Sequence, residues 1–153
     1  MTNRKIDNDE QIFFYEQDFY VFSNFSSFKL IWQGIEFDTS EAAYHWSKFM
    51  YCEKIQKEIL SAKSAHEAFK IAEKNKFFIR KYWNEVKISV MEDILWAKVK
   101  QHPYVFKKLI ESGKRELIED SWRDDFWGWG ESHNGRNELG KLWMKIRKKI
   151  NGN

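Results

Sequence analysis

The chain has 153 residues, of which 42% are apolar and 18% aromatic, with a net charge of +3 and one cysteine. This length is enough for one compact domain and short for two. The single cysteine excludes an intrachain disulfide and a cysteine-based metal cluster. The small charge excess permits a phosphate-bearing ligand but does not indicate a nucleic-acid scaffold.

The N-terminal residues are polar and carry no pattern typical of a signal peptide. No apolar run approaches the roughly 18 residues that a membrane span needs. We therefore expect a cytoplasmic protein without membrane attachment, flexible over residues 1–10. The four histidines are scattered along the chain, which indicates no metal site, and no cofactor is expected.

Residues 11–150 are expected to form a single domain that begins with short strands. Strands are predicted at residues 12–15, 29–32 and 35–37. The last two flank Gln33-Gly34, a hairpin signal. Between the first two, Phe22 and Phe25 bracket Ser and Asn, which predicts a turn with both rings pointing inward.

The rest of the chain is predicted to be mainly helical. Helices are expected at 39–49, 53–60, 64–75, 83–100 and 103–112, and from the cap Asn137 to Ile150. Residues 116–119 are predicted to form a strand that returns to the β portion. The predicted fold class is therefore α+β, mainly α, with a small N-terminal β portion.

The helix after Thr39-Ser40 brings three reactive side chains onto one face. At about 100° per residue, Glu41, His45 and Lys48 fall within an arc of roughly 60°. A neighbouring arc is apolar and can pack into a core; it contains Ala42, Trp46, Phe49 and Met50. The helix either presents an acid, an imidazole and an amine side by side or is a surface helix with an ordinary Glu/Lys face.

Residues 120–137 are rich in Trp, Gly and Asp, an unusual composition for a loop. Loops of this length within a compact domain tend to be functional, and glycine lets the backbone approach a ligand closely. The amides that begin the last helix are a candidate phosphate site. The loop therefore indicates a pocket for a base and a phosphate, unless its tryptophans simply plug the core.

Several motifs occur together and in a fixed order. They are Ser23-Asn24-Phe25, Ser40-Glu41 with Lys48-Phe49, Arg80 and Trp83 with Val90-Met91, Leu117-Ile118-Glu119 with Asp125 and Trp127-Gly128, and Gly135-Arg136-Asn137-Glu138-Leu139-Gly140 with Met144 and Arg147. Together they resemble the NADAR family, of which the YbiA-like proteins are a part, over roughly residues 11–150. The resemblance implies a single compact YbiA-like domain.

The resemblance also implies a hydrolase that cleaves the N-glycosidic bond between a ribose C1 and a nitrogen. The implied substrates are ribosylamino-pyrimidine intermediates of riboflavin synthesis or ADP-ribosylated guanine, as a nucleotide-like small molecule or in nucleic acid. The implied catalytic residues are Glu41, Lys48 and Asp125. The residues expected to bind or support the substrate are Asn24, Tyr44, His45, Arg80, Trp83, Trp127, Gly128, Asn137, Gly140 and Arg147.

This chain departs from the family pattern near the candidate helix. Ala42 stands where the family has His, and His45 where it has Gln. Ala72-Glu73 replaces an expected Gly-Arg pair, which removes an arginine able to meet a phosphate. The departures keep open an alternative, a non-catalytic module that binds ADP-ribose or a related nucleotide.

The candidate residues suit two routes for breaking the N-glycosidic bond. In one, Glu41 or Asp125 activates water against an oxocarbenium-like carbon. In the other, which we favour, Lys48 attacks C1 of an opened ribose and forms a Schiff base. Aromatic walls from Tyr44, Trp83 and Trp127 would favour the uncharged amine. A third hypothesis, nucleic-acid binding by the lysines of the last helix, competes with an ordinary solvated basic face.

Overall fold

A computed structural model describes residues 5–15 and 19–152 of the chain. The fold is α+β and mainly helical, as predicted, with short strands in two small sheets. The residues divide into a central unit, residues 24–102, and a terminal unit, residues 1–23 and 103–153. No helix in the described part of the chain is both long and apolar enough to cross a membrane.

The central unit contains a hairpin and four helices. The strands are β1 (Leu30–Trp32) and β2 (Ile35–Phe37), and the helices are α1 (Ser40–Lys48), α2 (Glu53–Leu60), α3 (Ala65–Lys74) and α4 (Trp83–Gln101). The hairpin turn falls at Gln33 and Gly34, with φ of 52° and 76°. Positive φ at both positions is what a two-residue turn between twisted strands requires, so the predicted hairpin is confirmed.

Two helices begin close to where they are predicted, each with a side chain that caps its first turn. The Thr39 hydroxyl accepts a hydrogen bond from the Ala42 amide at 3.1 Å and begins α1. The Ser64 hydroxyl accepts one from the Glu67 amide at 3.0 Å and begins α3. These side chains satisfy amides that the first helical turn leaves without carbonyl partners.

Helix α1 is buried on almost every side, which corrects the expectation of one apolar and one polar arc. Every residue from Ser40 to Ser47 is buried, including Glu41 and His45, while Met50 is 37% exposed. Neighbouring helices α2, α3 and α4 pack around α1. The reading of α1 as a surface helix with a solvated Glu/Lys face is therefore wrong.

The terminal unit is built on a two-stranded parallel sheet. Strand β3 (Gln11–Phe14) pairs with β4 (Glu116–Glu119), in register Gln11 with Glu116 through Phe14 with Glu119. Strand β3 is the first strand along the chain and begins one residue earlier than predicted. The predicted pairing of residues 116–119 with the β portion is confirmed. Helices α5 (Pro103–Glu111) and α6 (Glu138–Ile150) complete the unit.

The chain segments of the terminal unit are joined through apolar side chains and a few polar bonds. The Trp143 indole, fully buried on α6, donates to the Phe22 carbonyl at 2.9 Å. Before the first strand, the Asp7 carboxylate accepts from the Phe13 amide at 2.7 Å. Residues 1–4 lie outside the described part of the chain, and flexibility over residues 1–10 stays a prediction.

The turn around residues 22–25 is partly different from the prediction. Phe22 is fully buried, but Phe25 is 47% exposed. Ser23, Asn24 and Ser26 take the buried positions around it. Asn24 is held inward by hydrogen bonds to the start of α1, and Phe25, the next residue of the same turn, lies at the surface.

Candidate active site

A buried acid and imidazole lie one turn apart on α1. The Glu41 carboxylate oxygen Oε1 is 2.6 Å from the His45 ring nitrogen Nε2. Glu41 is 8% exposed and His45 only 2%. The other ring nitrogen of His45, Nδ1, is buried without a hydrogen-bond partner. Glu41 and His45 therefore form a short, desolvated contact in which Nε2 of the imidazole binds the carboxylate.

Asn24 fixes the backbone that carries this acid. Its carbonyl accepts from the Glu41 amide at 3.1 Å, and its side-chain oxygen accepts from the Ser40 hydroxyl at 3.0 Å. Its side-chain nitrogen lies 3.5 Å from the sulfur of Met91 on α4. Asn24, predicted to bind or support the substrate, is thus placed as a support for the first turn of α1.

Two basic side chains and two aromatic rings contact one another in a row toward the C-terminal end of α1. The Lys48 amine lies 5.1 Å from the centre of the Tyr44 ring, and the Tyr44 and Trp83 ring centres are 5.3 Å apart. The Arg80 guanidinium lies 5.2 Å from the Trp83 ring. Arg80 also donates its amide to the Lys48 carbonyl at 2.9 Å, while its Nε is buried without a partner. The structure therefore brings together these four predicted residues.

Glu41 and Lys48 are separated by seven residues of one continuous helix. Their Cα atoms are therefore about 10 Å apart along the helix axis, on nearly the same face. A glutamate and a lysine side chain that extend toward each other can span much of this distance.

In the terminal unit, the loop before α6 is organised by two neighbouring aspartates. The Asp124 carboxylate accepts from the amides of Phe126 and Trp127, at 2.9 and 2.7 Å. The side chain of Asp125 is exposed, and its carbonyl accepts from the Arg136 amide at 2.7 Å. Trp127 is 9% exposed and packs edge-on against Phe126.

Asp124 is a residue that the sequence analysis missed, although the signal was present. The family spacing D-x-x-W-G-x-G counts back from Trp127 to Asp124 without slack, whereas Asp125 needs one residue of slack. The carboxylate of Asp124 turns the chain into Trp127 and Gly128. It is a positioning group for the loop in this structure.

The start of α6 does not offer the phosphate site that its sequence indicated. The amides of Asn137, Glu138 and Leu139 donate to the loop carbonyls of residues 128, 126 and 127, at 2.9, 2.9 and 3.1 Å. A helix start binds anions through amides that lack such partners. Because these three are occupied, the expectation of a phosphate at this helix end is wrong.

Asn137 takes the cap position of α6, but its side chain does not cap the helix. Its φ is 50°, a left-handed conformation, and the side chain turns back to strand β4. There it accepts from the Glu119 amide and donates to the Leu117 carbonyl, both at 2.9 Å. These two bonds tie the helix start to the strand.

Two predicted glycines allow close backbone approach. A Cβ on Gly140 would overlap the Leu117 carbonyl and the Asn137 side chain. A Cβ on Gly128 would lie 2.9 Å from the Glu119 carbonyl oxygen. Trp127, Gly128, Asn137 and Gly140 are therefore brought together where the loop, β4 and α6 meet.

Arg147 lies two turns further along α6 and has a different environment. It is 8% exposed and donates to the Ser112 hydroxyl at 2.9 Å. Burial, and secondly the charge of Arg115, lower the pKa of the Arg147 guanidinium from its ordinary value. The lysines of the same helix are exposed, so the reading of a solvated basic face agrees with their positions.

The central unit contains a buried lysine that was not predicted from the sequence. Lys98 on α4 is fully buried, donates to the Ser26 hydroxyl at 2.9 Å and lies 5.4 Å from the Phe28 ring centre. Burial lowers the pKa of Lys98 to about 7. Helical spacing places it beside apolar positions, but no sequence signal distinguishes it from the exposed lysines.

No three His, Cys, Asp or Glu side chains in residues 5–15 and 19–152 come together as a possible metal site.

Comparison with known proteins identifies the family of this chain. A family model described as the NADAR domain matches residues 13–151. The chain belongs to the NADAR family. The resemblance of its motifs to that family is thereby confirmed.

NADAR relatives and a solved structure cover most of the chain. It is 33% identical over 133 residues to the N-glycosidase YbiA of Escherichia coli, covering 87% of this chain and 82% of that protein. It is 32% identical over 143 residues to an N-glycosidase of Nostoc punctiforme. The NMR structure of Escherichia coli YbiA matches with a TM-score of 0.84 at 32% identity, over 96% of this chain and 88% of that one.

Another NADAR relative is much longer than this chain. A riboflavin biosynthesis protein of Vibrio vulnificus is 31% identical over 144 residues, which are 93% of this chain. The chain spans about two fifths of that protein, 39% of its length. The similarity is therefore to one part of the Vibrio protein.

Proposed function

We propose that this NADAR protein hydrolyses the N-glycosidic bond between a ribose C1 and a nitrogen of a base. The observation that carries the proposal is the pairing of a buried, hydrogen-bonded acid with an amine two turns along the same helix, Glu41 and Lys48. The names of its relatives support the same reaction class, since several are called N-glycosidases. The proposed substrates are ribosylamino-pyrimidine intermediates of riboflavin synthesis or ADP-ribosylated guanine, free or in nucleic acid.

The residues of the central unit fit separate parts of this reaction. Breaking the bond requires a proton for the leaving nitrogen and stabilisation of positive charge at C1, and Glu41 can supply either. Tyr44 and Trp83, each 6% exposed, would line the side of the site that receives the base. Arg80, with a buried Nε that has no partner, is the cation suited to an anionic group of the substrate.

We favour covalent catalysis by Lys48. In the ring-opened substrate, C1 is doubly bonded to the nitrogen of the base. The Lys48 amine would add to C1, and Glu41 would pass the protons that the amine loses to the leaving nitrogen, giving the free base and an imine between Nζ and C1. Water would then add to the imine and release the ribose and the free amine. In the competing route Glu41 or Asp125 activates water directly; the exposed side chain of Asp125 makes Glu41 the better candidate there.

The test is a chromatographic and mass-spectrometric screen of candidate substrates with wild type and Glu41→Ala. The candidates are riboflavin-pathway ribosylamino-pyrimidines, NAD and ADP-ribosylated guanosine. Wild type is expected to release the free base from at least one of them. Glu41→Ala should lower kcat by about 10²- to 10⁴-fold, the contribution typical of a general acid or base.

The rival function is a non-catalytic module that binds ADP-ribose or a related nucleotide. The departures at Ala42, His45 and Ala72-Glu73 favour it. Titration calorimetry with ADP-ribose beside the screen separates the two functions. Binding without product from any candidate would reject the hydrolase, and a Glu41→Ala protein with wild-type turnover would reject the assigned acid.

A further inference from the structure

An aromatic surface lies beside the candidate active site and has no role in the proposed reaction. We define the aromatic surface as Phe77, Phe78, Tyr82 and Tyr51. These side chains are 93%, 63%, 73% and 86% exposed, respectively. Soluble proteins rarely expose several large rings in one stretch without a partner for them.

The aromatic surface is set among positive charges. Lys74, Lys76, Arg80 and Lys81 lie within the nine residues from Lys74 to Tyr82, and this stretch contains no acidic residue. The three lysines are exposed. A second copy of the same surface would bring like charges together, so self-association is disfavoured. The charge instead favours an anionic partner.

Two contacts of Arg80 bring the segment that carries Tyr82 close to the segment that carries Tyr51. Arg80 donates its amide to the Lys48 carbonyl at 2.9 Å, and its Nη1 lies 3.3 Å from the sulfur of Met50. Tyr51 follows Met50 directly, and Tyr82 follows Arg80 by two residues. Tyr51 and Tyr82 therefore lie on neighbouring segments just beyond the end of α1.

The separate rings fit unstacked bases better than a bilayer or a duplex. Phe77 and Phe78 belong to a three-residue 3-10 turn, Lys76–Phe78, while Tyr51 and Tyr82 come from other segments. Membrane-surface binding uses a continuous amphipathic helix, which this region lacks. Bases in a duplex are already stacked on one another, whereas those of a single strand are free to stack on protein rings.

We propose that the aromatic surface, with Lys74, Lys76 and Lys81, binds single-stranded nucleic acid. Bases stack on the exposed rings, and the lysines contact the phosphates between them. The proposal goes beyond N-glycosidic cleavage because it concerns binding of an unmodified strand. It can hold or fail whether or not the protein turns over any substrate.

The test measures fluorescence anisotropy of a short labelled oligodeoxynucleotide, single-stranded or as a duplex. Wild type is expected to bind the single strand more tightly than the duplex. Phe77→Ala and Tyr82→Ala should each weaken binding by about tenfold, as loss of one stacked base does. With three or four phosphate contacts, raising salt from about 50 to 200 mM should weaken binding by about 20- to 50-fold.

The matched control is Phe106→Ala on α5. Phe106 is 43% exposed and precedes Lys107 and Lys108, so it is another exposed ring beside lysines. It should bind like wild type, and thermal melting of all variants checks that each is folded. No binding at low salt, equal loss in Phe106→Ala, or no loss in Phe77→Ala would each overturn the proposal. Two other outcomes would also overturn the proposal. One is binding to anionic vesicles without binding to the oligonucleotide. The other is dimerisation that Phe77→Ala abolishes, again without binding to the oligonucleotide.

Discussion

At the scale of single residues, the contact between Glu41 and His45 fixes the position of the acid. Nε2 faces the carboxylate, and Nδ1 is buried without a partner. A ring with a proton on Nε2 suits this contact, since Nε2–H donates to Oε1. A proton on Nδ1 would be a buried donor without an acceptor, costing about 1–3 kcal/mol. We therefore expect His45 to orient Glu41, while its predicted role in substrate binding is untested.

Replacing His45 tests this orienting role. His45→Gln, the residue of the family pattern, keeps a donor and should retain kcat within a few-fold. His45→Leu removes the donor and should lower kcat about tenfold, the loss expected for about 1.4 kcal/mol, with a smaller change in KM. Steady-state kinetics on the confirmed substrate measure both parameters. Equal kcat in wild type and His45→Leu would show that the contact does not matter for the reaction.

The proposed imine at Lys48 can be trapped chemically. Borohydride added during turnover reduces an imine to a stable amine, so intact-mass measurement of wild type should show a ribosyl adduct. Peptide digestion should map the adduct to Lys48. In Lys48→Arg the adduct should be absent, because a guanidinium stays protonated and is not nucleophilic. A fully active Lys48→Arg protein and no adduct in wild type would leave only the carboxylate–water route.

At the scale of elements, the packing of α6 on β4 depends on the absence of one side chain. In an isolated helix Gly→Ala is favourable by about 1 kcal/mol. At Gly140 the new Cβ would overlap the Leu117 carbonyl and the Asn137 side chain. The overlap should outweigh the helix propensity, so Gly140→Ala should lower the free energy of unfolding by about 1–3 kcal/mol.

Urea unfolding followed by circular dichroism measures this change. Lys141→Ala is the matched control, since Lys141 is the next residue on the same helix and is exposed. It should change the free energy of unfolding by no more than about 0.5 kcal/mol. A Gly140→Ala protein as stable as Lys141→Ala would mean that α6 and β4 can separate without cost.

The elements were more predictable from sequence than their surroundings. Caps at Thr39 and Ser64 and the turn at Gln33-Gly34 are local signals, and the corresponding elements begin and end close to the predicted residues. Burial of the polar face of α1 was not predictable, because it depends on helices that pack around it from elsewhere in the chain. The occupied amides at the start of α6 likewise depend on how the preceding loop folds back onto the helix. The catalytic and binding roles inferred from the motifs stay predictions.

At the scale of the whole molecule, Lys98 makes stability depend on pH. Burial lowers the pKa of Lys98 from 10.5, its ordinary value in an unfolded chain, to about 7 in the folded protein. Between these values the unfolded chain holds a proton that the folded protein lacks, so stability rises with pH. Below about pH 7 both states hold the proton, and burial of the charge costs its full amount.

Removing the Lys98 amine should remove this dependence of stability on pH. Between pH 7 and 9, the Lys98 contribution should raise the free energy of unfolding by about 2 kcal/mol. Lys98→Met keeps the length of the side chain without the charge, so its stability should exceed that of wild type most at pH 7 and less at pH 9. Urea unfolding of both proteins at several pH values measures the difference. A constant difference across this range would show that Lys98 stays charged in the fold.

The parallel pairing of β3 with β4 has a consequence for how the protein is made. Gln11 pairs with Glu116, so the partner of an early strand is synthesised only after the whole central unit, residues 24–102. The central unit is one continuous stretch and can fold while the ribosome is still working. The apolar strand β3, whose Ile12 and Phe14 end up buried, must meanwhile wait with its backbone groups unpaired. In that interval the strand has unpaired edges, and unpaired strand edges promote aggregation of nascent chains.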